Sequence, residues 1–75
     1  MDDSKFLNEL GARIKTLRVQ KNLTQYELAV SCEFEAASMS RIESGKINIT
    51  IITLKKISHA LNIKLTELFN DGINA

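Results

Sequence analysis

The chain contains no proline and no tryptophan, one cysteine, one histidine and three glycines. A single thiol, Cys32, excludes an intrachain disulfide and fits a reducing compartment. No stretch approaches the ~20 apolar residues a membrane span needs, so no membrane partner is expected. The opening Met1-Asp2-Asp3 is acidic where a secretory leader is basic, and the expected location is cytoplasmic. Cys32 and His59 fall on different predicted helices, which gives no nucleophile–base pair and no ligand spacing of the kind zinc requires. A glycine-rich phosphate loop is also missing. The sequence therefore offers no catalytic residue, no metal site and no cofactor, and no small-molecule ligand is evident. An enzyme is not expected.

What remains is an ordinary globular composition. With 75 residues, 44% hydrophobic and 25% charged, the chain has room for one domain, 1–75, with an ordered core of about 5–70 and loose ends at Met1 to Ser4 and Gly72 to Ala75. Net charge is +1, which by itself does not announce a polyanion partner. Its distribution is uneven. Lys5, Arg13, Lys15, Arg18 and Lys21 face only Glu9 in the first stretch, and Lys46, Lys55, Lys56 and Lys64 face no acid in the last. The segment between holds Glu27, Glu33, Glu35 and Glu43 against Arg41. Solvated helix faces account for this pattern as well as an interface does.

Without proline, helix boundaries must come from caps and left-handed residues. Leu7, Leu10, Ile14 and Leu17 recur at three- and four-residue steps and predict a first helix from about Lys5 to Lys21, with Asn22 as a left-handed stop. Gly11 inside it marks close approach of a neighbouring helix. Thr24 and Glu27 form a capping box for a second helix ending near Cys32, with Leu28 and Ala29 inward. A third helix runs from Glu35 or Ala36 to Ser44, with Met39 and Ile42 as its apolar face and Gly45 as its end. Thr50 caps a fourth, whose stripe is Ile51, Leu54, Ile57 and Leu61 and whose stop is Asn62. A short fifth covers Leu65 to Phe69. No strand pattern is present, so the expected class is an all-α, five-helix domain.

The second and third helices, each about nine residues and joined by about three, have the dimensions of a helix-turn-helix. Their residues carry a resemblance. Leu23-Thr24-Gln25-Tyr26-Glu27-Leu28-Ala29, followed after positions 30–42 by Glu43-Ser44-Gly45-Lys46, is similar to the phage repressor/Cro-type (XRE-like) helix-turn-helix regulators, and above all to compact members such as restriction–modification controller proteins. Gly11 to Arg18 before the motif and Leu54 to Phe69 after it match as well.

The resemblance implies a lambda-repressor-like domain that binds double-stranded DNA as a homodimeric transcriptional regulator. A recognition helix at about 35–44 would lie in the major groove of a near-palindromic operator. Ala36, Ala37, Ser38 and Arg41 match positions that face base edges. Arg41 can pair bidentately with guanine. Ala36 and Ala37 either meet a thymine methyl or simply let the backbone sit close. Gln25 can reach a phosphate or brace a recognition side chain. Ser40, Ser44, Lys46, Asn48 and the amides after Gly45 match backbone contacts, although loop solubility explains Lys46 and Asn48 equally well. Arg18 and Glu43 match a structural ion pair.

Three departures stand out. Glu33 occupies the turn position where the family usually has glycine, Glu35 stands where Ser, Thr or Asp often caps the recognition helix, and Ile49 replaces a common proline. A glutamate at position 35 is repelled by phosphate unless it accepts from a cytosine amine, and it favours the helix dipole equally well. Ile47, Ile49 and Ile52, with Phe69 and Ile73, form a candidate dimer interface; the alternative is that they cover the core of a very small domain. A different reading on the same fold is an antitoxin or other protein-interaction module, against which the short tail after Phe69 counts.

Overall fold

In the computed structural model, residues 3–69 are described. They form α1 (Ser4–Gln20), α2 (Gln25–Ser31), α3 (Ala36–Glu43) and α4 (Ile51–Ala60), followed by a 3-10 turn at Leu65–Phe69. No strand occurs among them.

All four α-helices end the same way. A left-handed residue follows each: Asn22 at φ 59°, Glu33 at 61°, Gly45 at 73° and Asn62 at 56°. The next amide then reaches back to the helix: Leu23 to the Arg18 carbonyl, Phe34 to Ala29, Lys46 to Arg41 and Ile63 to Ser58, at 2.8–3.1 Å. This paired closure uses carbonyls that would otherwise lack donors, and it replaces proline as the helix terminator. At the other ends, Thr24 accepts from the Glu27 amide at 3.0 Å while Glu27 accepts from the Thr24 amide at 2.8 Å. Thr50 caps α4 by accepting from the Thr53 amide at 3.1 Å. Glu35 stands at the N-cap of α3 with no side-chain capping bond.

The α-helical stripes meet in one core. Leu10, Ile14, Leu28, Met39, Ile42, Ile57, Leu61 and Leu68 are its largest fully buried residues. Helix α3 packs on both α1 and α2, α4 touches α2, and the 3-10 turn bridges α1 and α4. Gly11 explains how closely α1 and α3 approach. A Cβ built there would lie 2.5 Å from the Ile42 carbonyl oxygen and 2.6 Å from that of Glu43. Only glycine leaves that space open.

Three expectations need correction. The expected fifth α-helix is a 3-10 turn. Its Glu67 amide bonds the Lys64 carbonyl at 3.0 Å, and Leu65 and Leu68, three apart, line up on one edge as that tighter geometry requires. The Arg13 guanidinium, reaching from α1, occupies the Glu67 carbonyl from Nε and Nη2 at 3.3 and 3.2 Å. Ile51 does not belong to the α4 stripe. It is 59% exposed, because α4 meets the core from Leu54 onward and Ile51 sits at its tip. Ser4, assigned above to a loose end, is the first residue of α1.

Candidate nucleic-acid interface

Helix α3 has two unlike faces. Met39, Ile42 and Glu43 are buried, while Ala36, Ala37, Ser40 and Arg41 are exposed. Of the residues expected to face base edges, Ala36, Ala37 and Arg41 thus share the open face, and Glu35 adds an exposed carboxylate at its start. Ser38 differs. It is half-buried and lines a cleft of about 220 Å³ with Phe34, Ile42, Ile47, Asn48 and Thr50.

The polar residues around the helix end divide by their bonds. Ser40 is exposed. Ser44 instead donates its hydroxyl to the Ser40 and Arg41 carbonyls, at 2.9 and 3.2 Å. A phosphate only accepts, so Ser44 can serve one only by abandoning the helix end. The Lys46 amide is committed to the Arg41 carbonyl at 3.0 Å, which leaves its exposed ammonium as the group it can offer. Asn48 is exposed in the loop that follows.

Beneath this surface lies a buried carboxylate. Arg18 and Glu43 are 8% and 7% exposed. Arg18 Nε donates to Glu43 Oε2 at 2.7 Å and Nη2 donates to Oε1 at 3.2 Å, a two-point pair. Arg18 Nη1 donates to the Leu23 carbonyl at 2.7 Å. Gln25, the first residue of α2, donates Nε2 to Glu43 Oε1 at 3.0 Å. One carboxylate on α3 therefore gathers donors from α1 and α2. The bonds from Gln25 to Glu43, 18 positions apart, and from Arg18 to Leu23, five apart, escaped the sequence reading, because nothing in residue type or spacing marks either partner.

The suggested dimer residues separate. Ile47, Ile49 and Phe69 are half-buried and pack against the core, whereas Ile52 is 60% exposed. Ile73 lies outside the described residues. Exposed Tyr26 and Val30 on α2 and Val19 on α1 are apolar positions that the sequence reading did not single out.

Cys32 and His59 line the same cleft, about 420 Å³, between the end of α2 and α4, together with Lys55 and Lys56. Burial pushes the Cys32 thiol up from its ordinary value, with Lys56 pulling weakly the other way. Such a thiol stays protonated and is a poor nucleophile. Lys56 also sits over the Phe34 ring, 5.7 Å from its centroid. Among the described residues no group of three His, Cys, Asp or Glu is placed to hold a metal ion, and no helix is long and apolar enough to cross a membrane.

Comparison with known proteins places this geometry. The helix-turn-helix family model matches residues 14–68. The chain is 39% identical over 72 residues to control protein C.MunI of Mycoplasma sp, covering 95% of each. It is 31% identical over 61 residues to control protein C.BamHI of Bacillus amyloliquefaciens, covering 80% of this chain and 75% of that one. Among solved structures, the restriction–modification controller protein C.AhdI from Aeromonas hydrophila superposes with a TM-score of 0.82 at 32% identity, covering 84% of this chain and 96% of that one.

Proposed function

The chain belongs to the helix-turn-helix family of DNA-binding transcriptional regulators, and from that premise we propose that it acts in the cytoplasm as a homodimeric, sequence-specific controller, with α3 in the major groove of a near-palindromic operator. The observation that carries this reading is the open face of α3. Ala36, Ala37, Ser40 and Arg41 project outward from a helix whose other side is locked to α1 and α2. Small side chains at Ala36 and Ala37 let the helix sit deep against the base edges. Arg41 is the long donor on that face and pairs with a guanine, while the Glu35 carboxylate, free of capping duty, accepts from a cytosine amine. Ser38, in its cleft, is placed at the margin of this surface.

Gln25, Ser40, the Lys46 ammonium and Asn48 surround the face and supply contacts to the DNA backbone, which set register without reading sequence. Ser44 acts as a clasp on the helix end rather than as a phosphate ligand. Ile52 supports a dimer contact from α4, with Ile47, Ile49 and Phe69 as its partly buried margin. Two recognition helices would then lie about one DNA turn apart, ~34–36 Å. The controller assignment follows the relatives, two of which are control proteins of about this length.

The test is selection from a random duplex pool, with sedimentation at tens of micromolar. A two-fold symmetric site with half-sites about 10 bp apart is expected, bound by a dimer. Arg41→Ala should relax selectivity at one base pair per half-site by about 1–3 kcal/mol. A pool without enrichment, or a monomer that binds DNA only weakly and loses it with salt, refutes this assignment.

A further inference from the structure

We infer that Glu43 is a positioning residue for DNA-backbone recognition: through the Gln25 carboxamide it presents a fixed N–H donor to a phosphate, and so ties that backbone contact to the recognition helix. The inference rests on the DNA-binding reading above and adds to it a role for a buried residue that reaches no DNA itself.

The geometry is specific. Glu43 Oε1 accepts from Arg18 Nη2 at 3.2 Å and from Gln25 Nε2 at 3.0 Å, while Oε2 accepts from Arg18 Nε at 2.7 Å. An ionised carboxylate only accepts. The Gln25 carboxamide must therefore turn its nitrogen toward Glu43, because the opposite flip would set its carbonyl oxygen against the negative charge. Nε2 carries two hydrogens, and Glu43 uses one. A phosphate oxygen also only accepts. The flip that Glu43 enforces is thus the one that keeps the amide nitrogen, rather than its oxygen, at the site a phosphate needs.

The backbone beneath Gln25 is held as well. Thr24 and Glu27 close their reciprocal cap around the first turn of α2, at 3.0 and 2.8 Å. Gln25 itself is half-buried, which restricts its rotamers. Glu43 closes α3, so one carboxylate links the start of α2 to the helix that carries Arg41. A donor aligned before binding loses less entropy when the complex forms.

The experiment pairs side-chain NMR of the free protein with DNA affinity. The chain has two glutamines, Gln25 and the exposed Gln20, and Gln20 is the internal reference. The Gln25 carboxamide should be ordered and shifted in the native protein and should relax to the Gln20 behaviour in Glu43→Gln. With the selected duplex, Gln25→Ala should weaken binding about tenfold per subunit, with an unchanged salt slope, because a neutral amide releases no counterion. In the Glu43→Gln background the same change should cost less than about twofold, the coupling expected of contacting residues.

A Gln25 carboxamide as mobile as that of Gln20, or equal losses in both backgrounds, overturns the inference. Should Glu43→Gln not fold, the comparison of the two glutamines in the native protein decides. If the native protein binds no duplex, the DNA reading fails; if it binds and Gln25→Ala binds equally well, this inference and the backbone contact assigned to Gln25 fail while the DNA reading stands.

Discussion

Gly11→Ala places two opposing effects on one methyl group. Taken alone, replacing a mid-helix glycine by alanine favours folding by about 1 kcal/mol. At this position the new Cβ would stand 2.5 Å from the Ile42 carbonyl oxygen, 2.6 Å from the Glu43 oxygen and 2.8 Å from the Glu43 carbonyl carbon. These are backbone atoms of α3 and its final turn, and they cannot rotate aside. The two helices must separate, which loosens Leu10, Ile14 and Ile42 together. Overpacking typically costs about 1–3 kcal/mol, and rigid backbone on the far side puts this site at the upper end. The net expectation is a loss of about 2 kcal/mol, a lowering of Tm by roughly 8–16 °C for a domain of this size. Ala12→Gly is the control. Ala12 is exposed one residue further along α1, and the reverse change there should cost about 1 kcal/mol through propensity alone. Thermal and urea unfolding followed by circular dichroism reads both. A Gly11→Ala variant as stable as the native protein, or more so, would refute the argument from close approach.

Glu33→Gly should raise the urea midpoint at unchanged slope. It relieves a left-handed non-glycine residue, about 1–2 kcal/mol, less the extra entropy glycine gives the unfolded chain, about 0.4–1 kcal/mol; a lowered midpoint would contradict the strain assigned to φ 61°. Arg18→Ala leaves Glu43 buried without its charged partner and should cost about 3–5 kcal/mol, enough to unfold much of a small domain at 37 °C, while Arg18→Met combined with Glu43→Leu should recover stability without recovering the order of Gln25. Equal melts for Arg18→Ala and the native protein would remove the pair from the fold's support. The Cys32 thiol is raised in the folded state by burial. Its contribution is therefore full below the ordinary thiol range and falls as pH rises through it, because the unfolded chain ionises first. Native and Cys32→Ala proteins should accordingly diverge in stability at neutral pH and converge at alkaline pH; parallel curves would count against the buried thiol.

The α-helical part of the fold was legible because its signals are local. Thr24 with Glu27, Thr50, and the stops at Asn22, Gly45 and Asn62 act within a few residues of themselves, and each boundary came within a residue or two. Gly11 was readable as a site of close approach, although not which atoms approach. The 3-10 turn was misread as an α-helix because two leucines three apart fit both geometries over five residues. Ile51 was misread because periodicity says which side of a helix is apolar and not where along its length the neighbouring element begins.

The sequence by itself determined the all-helical class, the helix-turn-helix spacing, the small residues and Arg41 on the open face of α3, and the pairing of Arg18 with Glu43 through the resemblance those residues carry. Tertiary structure alone decided that Gln25 hangs on the same carboxylate, that Ser44 and the Lys46 amide are spent on closing α3, and that Ile47 and Ile49 cover the core while Ile52 stays open. The reason is physical. Caps, stops and amphipathic periodicity are free energies of short segments. A hydrogen bond between α2 and the end of α3, or the burial of one isoleucine rather than its neighbour, depends on where packed helices leave room, and that is settled only when the whole core closes.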